Sequence, residues 1–429
     1  MAFPFGLGRL LSFGRRKNFD DNDNGGWAPG FFSAHSITGV QVNQATALTT
    51  TTVLAAVFML SEDFAKLTPT IWRKNPDGSR VVANDHELYD LLYQPNDWQN
   101  WFEFAEMMQC SLIMRGNAYA VKVRGGRGNV YKLVPVNADW VALWEAPDGS
   151  LFYRVTPVGL HMLAELSGQP FLIPAEDILH VRGFSLNGLA GASRIVLGKE
   201  AIGLSIGYER QAAQFMGQGA NASGILTTDQ TLTPEAAARM SEDWKEKKGG
   251  LQNAGKIVVL EQGLKYSSIS LDAVTSQFVQ ARNLQIQEIT RLFRIPAHML
   301  GDLARSTNNN IEQLAQEYIN YTITGYTQRW AAKLDTSFGL RAQGLFVDFD
   351  LSVLGRGDRT ARYNQYARGI AAGFLKPNEA RIDDGLDPVP EGDHLLQPSN
   401  SIEMGSHASG AAPQGAGRPP EGSADQKLN

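Results

Sequence analysis

The sequence predicts an α+β fold with more than one domain, and three observations support this. Alternating apolar segments joined by Asp-Gly or Gly-rich turns predict β-hairpins in the first half of the chain. Apolar residues at i+3 and i+4 spacing predict long amphipathic helices in the second half. The 429 residues, 43% hydrophobic and 19% charged, are enough for a sizeable core and two or three domains.

The first half, residues 31–190, mixes helices and hairpins. Apolar residues from Val53 to Leu67 predict an amphipathic helix that Pro69 stops. A second helix is predicted for residues 101–114. Hairpins are predicted for TIWRKNPDGSRVV, NAYAVKVRGGRGNVYKLVPV and WVALWEAPDGSLFYRV, followed by a strand at DILHVRGF.

Residues 194–218 predict a helix that contains three glycines. Gly198, Gly203 and Gly207 each cost about 1 kcal/mol relative to alanine in a helix. They either weaken the helix near its start or permit the close approach of a neighbouring helix. The sequence leaves both explanations open.

A small α/β segment follows, at residues 223–270. It begins with a strand at SGILTT. Thr233 then predicts a helix N-cap before Pro234, and Gly249-Gly250 ends that helix. Two strands, KIVVL and LKYSSISL, complete the segment before a long helix at residues 273–293.

The C-terminal third predicts mostly helix. A helix of about 24 residues runs from Ile311, with Asn310 and Gln313 as a capping box at its start. A strand at GLFVDFDLSVL follows, then a helix that Asp358 caps, and a short helix opened by Pro377 and closed by Gly385. Residues 1–30 predict a flexible arm, and the Gly-, Ser-, Ala- and Pro-rich residues 399–429 predict a disordered tail.

Composition excludes several classes of protein. The net charge of −5 argues against a surface that grips nucleic acid everywhere, although it permits a local basic ring. Cys110 is the single cysteine and fits a reducing compartment. No stretch approaches the ~20 apolar residues of a membrane span, and the first residues lack a secretory signal pattern.

Motifs for cofactors and metals are incomplete, so none is predicted. Gly250-x4-Gly255-Lys256 lacks the Ser or Thr and the following helix of a phosphate loop. DDNDNG lacks the glutamate of a calcium loop, and HELYD lacks the second histidine of a zinc helix.

The segment RIPAHMLGDLARSTNNNIEQ admits two interpretations. His298 and Asp302 could share a helical face at i+4 spacing, with Ser306 as a nucleophile beside them. The proline, the glycine and the asparagine run disfavour a regular backbone and so disfavour catalytic geometry. A polar loop between two helices is the favoured interpretation.

Several short motifs, in this order, resemble the bacteriophage portal proteins of the HK97 type. They are RGNAY, DILHVRGF, FRIPAHMLGD, STNNNIEQ, VLGRGD, NEAR and GLDPVPEGD, and together they span about residues 45–395. Arg294 and Ala297 stand where the family often has Gly and Pro, and Asn308-Asn309 replace an aromatic-Ser pair.

The resemblance implies a dodecameric ring at one capsid vertex, the channel through which a terminase motor drives DNA. It implies the portal fold with wing, helical stem, α/β clip and helical crown. The parts would be the wing at 31–193, stem helices at 194–218 and 272–295, the clip at 219–271, the tunnel loop region at 296–310, the long helix and return strand of the wing at 311–357, and the crown at 358–398.

The same resemblance implies residues that contact DNA and partners. Arg305, Ser306, Thr307, Asn308, Asn309 and Asn310 would touch double-stranded DNA transiently, without regard to its sequence. Trp244, Lys245, Lys247 and Lys248 are candidates in the clip for docking the terminase large subunit and head–tail connector.

Major capsid and scaffold proteins are further expected partners, with assembly in the host bacterial cytoplasm and a final location in the virion. No catalytic activity is expected of a portal protein. The alternatives are another ring-forming head–tail adaptor and, with less support, an enzyme that uses His298, Asp302 and Ser306.

Overall fold

The computed structural model describes residues 36–156, 172–217, 224–228, 233–248, 265–268, 272–302, 308–355 and 359–396. The predicted arm at 1–30, the tail at 399–429, the KIVVL strand and Asp358 lie outside these residues. Contacts divide the chain into two compact units, one up to Gly355 and one from Arg356.

Helices and strands alternate as an α+β fold requires, and the predicted fold class is confirmed. The helices are α1 Gln44–Ala47, α2 Thr51–Ala65, α3 Glu87–Tyr93, α4 Trp101–Arg115, α5 Arg194–Leu197, α6 Lys199–Gly217, α7 Pro234–Lys248, α8 Asp272–Phe293, α9 Asn308–Tyr318, α10 Thr324–Ser337, α11 Arg359–Ala371 and α12 Pro377–Asp383. The strands are β1 Pro69–Lys74, β2 Arg80–Val82, β3 Asn117–Arg124, β4 Val130–Val136, β5 Val141–Glu145, β6 Leu151–Val155, β7 Leu172–Pro174, β8 Ile178–Arg182, β9 Gly224–Thr227, β10 Lys265–Ser268 and β11 Leu345–Phe349.

The strands of the described residues form small antiparallel sheets. The order of the strands is β11-β1-β2 in one sheet, β4-β3-β8 in a second and β5-β6-β7 in a third. β9 and β10 pair by themselves. All three predicted hairpins are present, because each turn supplies the glycine with positive φ that a tight reversal needs, as at Gly78 and Gly149.

The main core lies between α2, α4, α10 and the first two sheets. Trp330 of α10 is fully buried, stacks on Phe64 at 5.3 Å between ring centroids, and meets Trp101 edge-on at 6.2 Å. Its indole Nε1 donates to Gln109 Oε1 at 3.1 Å, so the polar end of the ring is satisfied inside the core. The long C-terminal helix is thereby fixed against α4.

A second, smaller core lies on the other face of β3 and β8. β3 is buried on both faces: Ala118 and Ala120 face the main core, while Tyr119 and Val121 face the second. His180 of β8 is buried there between two partners. Its Nδ1 lies 2.9 Å from the Tyr153 hydroxyl, and its Nε2 lies 2.9 Å from Asn117 Oδ1. Burial lowers the pKa of His180 well below 6.5.

The structure corrects three features of the helices that the sequence predicted. The helix predicted at 194–218 is two helices, because the backbone at Gly198, with a φ of −94° and a ψ of 13°, is not helical. The long helix begins at Asn308 rather than after Asn310, so Asn310 lies within the helix and does not cap it. That helix also contains a π-helical turn at Ile319–Ile323. The elements α1, α3 and β7 were not predicted from the sequence.

The second unit consists of α11, α12 and the segment after them. The Arg362 guanidinium pairs with the Asp384 carboxylate, whose other oxygen accepts from the Tyr363 hydroxyl at 2.8 Å. Pro377 stands in the first turn of α12, and Gly385 has a φ of +74° just past its end. Both agree with the prediction from the sequence.

Candidate functional site

The helices α6 and α8, predicted as the stem, pack against each other and against the main core. Ile202 and Ile206 of α6, with Ile289 and Phe293 of α8, are buried. A β-carbon on Gly198 would lie only 2.2 Å from Leu292 Cδ2, so this glycine permits the close approach of α8. Gly198 also ends α5. It therefore both interrupts the helix near its start and permits the close approach of a neighbouring helix, the two explanations that the sequence left open.

The other two glycines of this region differ from Gly198. A β-carbon on Gly203 would lie 2.4 Å from Ser36 Oγ, so the neighbour there is the segment before α1 rather than a helix. Gly207 has no atom of the described residues within 4 Å of its β-carbon position. The described part of the subunit therefore gives Gly207 no packing role.

The end of α8 has an unusual backbone. Arg294, exposed, is the one non-glycine residue of the described chain with a positive φ, at +60°. The Ile295 N–H donates to Thr290 O at 3.0 Å, and the Arg294 N–H donates to Arg291 O at 3.2 Å. These bonds define a Schellman motif, whose left-handed position glycine usually occupies. An L-residue there costs about 1–2 kcal/mol.

The segment after Arg294 does not form the catalytic arrangement that the alternative interpretation requires. His298 lies on a 3₁₀ turn, Ala297–Leu300, which Gly301 ends with a φ of +90°. His298 and Asp302 therefore do not share a continuous helical face. The Asp302 carboxylate accepts from Gln287 Nε2 at 3.3 Å, while His298 Nδ1 is buried with no hydrogen-bond partner in the described chain.

The residues predicted for the tunnel loop are only partly described. Arg305, Ser306 and Thr307 lie outside the described residues. The backbone of Asn308, Asn309 and Asn310 forms the first turn of α9, which corrects their prediction as loop residues. Asparagine is favoured at a helix start, because its amide can accept from the free N–H groups there.

The segment predicted as the clip contains α7 and the β9–β10 pair. Thr233 Oγ1 accepts from the Ala236 N–H at 3.3 Å, which confirms the predicted cap. The described part of α7 is mostly exposed, and only Ala236, Met240 and Trp244 are half-buried. These three residues form a narrow apolar stripe at i, i+4 and i+8.

Several features were not predicted from the sequence. The strained Arg294 has a signal, since the resemblance noted in the sequence leads us to expect glycine there. The buried Lys122 has none: its Nζ donates to Glu176 O at 2.9 Å and to Ser337 O at 2.7 Å, and burial lowers its pKa to about 8. Those carbonyls come from distant parts of the chain, which the sequence does not bring together.

Metal and membrane features were also sought. Within the described ranges, no group of three or more His, Cys, Asp or Glu side chains is placed to hold a metal ion. None of the helices in the described part of the chain combines the length and apolar composition needed to cross a membrane.

Comparison with known proteins identifies the family. The family described as "Phage portal protein" matches residues 51–384. The chain is 28% identical over 389 residues to the portal protein of Enterobacteria phage HK97, covering 89% of each chain. It is 26% identical over 384 residues to a probable portal protein of Streptomyces phage phiC31, covering 87% of this chain and 82% of the relative.

Solved structures share the fold. The neck of an empty gene transfer agent particle contains a chain with a TM-score of 0.54 and 20% identity, covering 81% of this chain and 94% of that one. The crystal structure of an HK97 family phage portal protein from Corynebacterium diphtheriae gives a TM-score of 0.54 at 14% identity, covering 74% and 98%.

The chain belongs to the phage portal protein family and is of the HK97 type. Its function is that of a portal protein, a ring-forming protein at the capsid vertex. The family is structural rather than catalytic.

Proposed function

We propose that twelve copies of this chain form a closed ring whose channel conducts DNA during packaging and ejection. The match to the family over residues 51–384 is the observation that carries this proposal. A gene transfer agent neck computed with C12 symmetry contains a chain of similar fold, with a TM-score of 0.51, and supports the number twelve.

The charge of the two stem helices supports a channel that lets DNA pass. Residues 194–216 and residues 272–294 each carry three basic and two acidic residues. Tight binding to a duplex needs many Lys and Arg contacts with phosphates. A nearly neutral wall therefore suits a duplex that must slide.

The other parts follow from the family. Residues 31–193 and 311–357 are proposed as the wing, 219–271 as the clip, 296–310 as the tunnel loop region and 358–398 as the crown. In the tunnel loop region Arg305 and the polar residues from Ser306 to Asn310 would contact phosphates briefly. The ring would assemble in the host bacterial cytoplasm with scaffold and major capsid proteins.

The exposure of α7 supports a docking role for the clip. In the part of this helix whose burial is described, residues 234–244, most of the surface lies in solvent and is open to a partner. We propose that Trp244, Lys245, Lys247 and Lys248 dock the terminase large subunit and later the head–tail connector. Tryptophan is enriched among residues that dominate binding energy.

Electron microscopy of the purified protein, with mass measured on the same sample, tests the ring. We expect closed rings of twelve copies with a central hole wider than a duplex, formed either alone or with capsid and scaffold proteins present. A chain that stays monomeric with both proteins present would contradict the proposal.

Packaging assays test the tunnel loop and the clip. Arg305→Ala is expected to slow or shorten DNA packaging without loss of rings, and Trp244→Ala is expected to weaken terminase binding. Arg154→Ala, at an exposed arginine on β6, is the matched control. Unchanged packaging and terminase binding in both test variants would remove these residues from the proposal.

A lack of enzymatic turnover is also proposed. The His298 and Asp302 geometry supports this, since no continuous helical face joins them. A hydrolytic activity that disappears in Ser306→Ala while rings still form would contradict it.

A further inference from the structure

Five basic side chains lie close together on one side of the first unit. Arg194, Arg329 and Arg294 all act on the pKa of Tyr326, which burial raises and these three charges lower. The Arg194 guanidinium lies 5.4 Å from the Tyr326 ring centroid. Arg182 acts in the same way on Lys333. We define these five residues, Arg182, Arg194, Arg294, Arg329 and Lys333, as the basic face.

The guanidinium groups of Arg329, Arg194 and Arg182 are held by backbone carbonyls rather than by carboxylates. Arg329 Nη1 donates to Arg182 O at 2.5 Å and to Gly183 O at 2.8 Å. Arg194 Nη1 donates to Phe293 O at 3.4 Å. Within the described ranges, no carboxylate oxygen lies within 4.0 Å of any of the five basic groups. The basic face thus carries positive charges that no carboxylate of the described residues neutralises.

A second surface, on α3, α4 and the start of β4, has the opposite character. Large apolar side chains are exposed there, including Tyr93 at 72%, Tyr131 at 49% and Phe102 at 40%. The same segments carry five carboxylates and two cations, Lys132 and Arg115, of which Lys132 pairs with Asp97. The carboxylates are Glu87, Asp90, Asp97, Glu103 and Glu106. An open cleft of about 320 Å³ between α3 and β4 is lined by Glu87, Asp90 and Tyr131. We define this surface as the acidic aromatic face.

The two faces lie at opposite corners of the β4-β3-β8 sheet, in which β3 is the central strand. On one edge, Arg182 of β8 pairs with Asn117 at the start of β3. On the other edge, Lys132 of β4, next to Tyr131, pairs with Val123 near the end of β3. A subunit in a ring needs two different surfaces on opposite sides, because its interface is heterologous.

We propose that the basic face of one subunit docks on the acidic aromatic face of a second copy of this chain. This inference rests on the proposed ring. Opposite charge selects the pairing, and arginine also binds the faces of exposed tyrosine and phenylalanine rings. Exposed aromatic side chains with a charged rim are typical of protein interfaces.

A duplex is the competing occupant of the basic face, and the structure favours the second copy. A channel wall needs brief contacts with phosphates, whereas Arg329 and Arg194 are held in place by backbone carbonyls. A duplex would also leave the acidic aromatic face without a partner, since its carboxylates repel phosphates.

Charge reversal tests the pairing. Arg294→Glu with Arg329→Glu reverses the basic face, and Glu87→Lys with Asp90→Lys reverses the acidic aromatic face. Each double variant alone should need a roughly tenfold or higher protein concentration to form rings. A 1:1 mixture of the two should restore rings, because every interface then joins opposite charges again. Native mass spectrometry should find equal numbers of the two variants in each ring.

Controls distinguish a folding defect, a failure of the proposed ring and a failure of the proposed pairing between the two faces. Circular dichroism and thermal unfolding verify that each variant folds, and Arg154→Glu reverses an exposed arginine on β6 outside both faces. Wild-type protein that forms no ring with capsid and scaffold proteins would refute the proposed function. Wild-type rings together with normal rings from each reversed variant would refute this inference alone. Normal rings that lose salt-dependent duplex binding on reversal of the basic face would assign that face to DNA and overturn the pairing.

Discussion

Replacement of glycine by alanine at three positions near the stem tests how tightly the stem joins the wing. At Gly191, which precedes α5, the new β-carbon would lie 2.0 Å from Gly116 O and 2.7 Å from Gly183 N. Those atoms are hydrogen-bonded to each other at 2.7 Å and belong to the backbone, so no side-chain rotation relieves the clash. We expect Gly191→Ala to lower the free energy of unfolding by about 4 kcal/mol or more.

Gly198 and Gly207 should respond differently to the same change. At Gly198 the β-carbon meets the mobile end of Leu292, at 2.2 Å from Cδ2. Overpacking costs about 1–3 kcal/mol, and the better helix propensity of alanine returns about 1 kcal/mol. A net loss of about 0–2 kcal/mol is therefore expected. At Gly207 no atom of the described residues lies within 4 Å of the new β-carbon, so Gly207→Ala should raise the free energy of unfolding by about 0.5–1 kcal/mol.

Urea denaturation of the unassembled subunit, followed by far-UV circular dichroism, measures the series. The order of the midpoints should be Gly207→Ala above wild type, then Gly198→Ala, then Gly191→Ala, with similar m-values wherever the variant folds. Gly207→Ala is the matched control, since it makes the same chemical change in open space. A common shift in all three variants, or a Gly207→Ala variant as unstable as Gly191→Ala, would refute the packing argument.

Two further predictions concern a buried histidine and the strained arginine. His180 is neutral in the folded protein, because burial lowers its pKa. In the unfolded chain the same imidazole binds a proton below about pH 6.5. The free energy of unfolding therefore decreases as the pH falls below about 6.5, by up to about 1.4 kcal/mol per pH unit. His180→Gln should reduce this slope in urea midpoints taken at pH 7.5, 6.5 and 5.5, and identical slopes for variant and wild type would contradict it. Arg294→Gly removes the strain of a φ of +60°, but glycine also gives the unfolded chain more conformational entropy. The net effect should be an increase of up to about 1 kcal/mol in the free energy of unfolding, measured by urea denaturation. A destabilised variant would mean that the Arg294 side chain makes contacts worth more than the strain.

Local signals explain why most elements could be predicted from the sequence. The three hairpins follow from turns that contain glycine, and α7 follows from Thr233 before Pro234. These signals act within a few residues, so the final packing does not change them. The same is true of Gly385, which ends the short helix by its positive φ.

Contacts between distant residues explain what could not be predicted. In DILHVRGF, alternation puts Ile178 and His180 on one face of the strand, but the hydroxyl that meets His180 belongs to Tyr153 on another strand. The basic face likewise draws its arginines from β8, α5, α10 and the turn after α8. No spacing in the sequence announces that such residues meet. The positions of Arg305, Ser306 and Thr307 stay predictions.

The π turn in the long helix had a signal in the sequence after all. Five buried residues follow one another in steps of four: Tyr318, Thr322, Tyr326, Trp330 and Leu334. In a regular α-helix each four-residue step turns about 40° too far, so the last of these would lie about 160° from the first. The π turn at Ile319–Ile323 takes in an extra residue and returns the row to the core.

The π turn and the strained end of α8 contact each other directly. Thr322 lies within the turn, and its hydroxyl donates to Arg294 O at 2.6 Å. The two irregular backbones therefore stabilise one junction, from which the chain continues through His298 and Asp302 towards the start of α9. Because π turns are frequent at functional sites, this junction gives the proposed tunnel loop region an anchored base on the stem and the long helix. A loop that contacts moving DNA needs such a base, since force on the loop must reach the ring through residues that hold their positions.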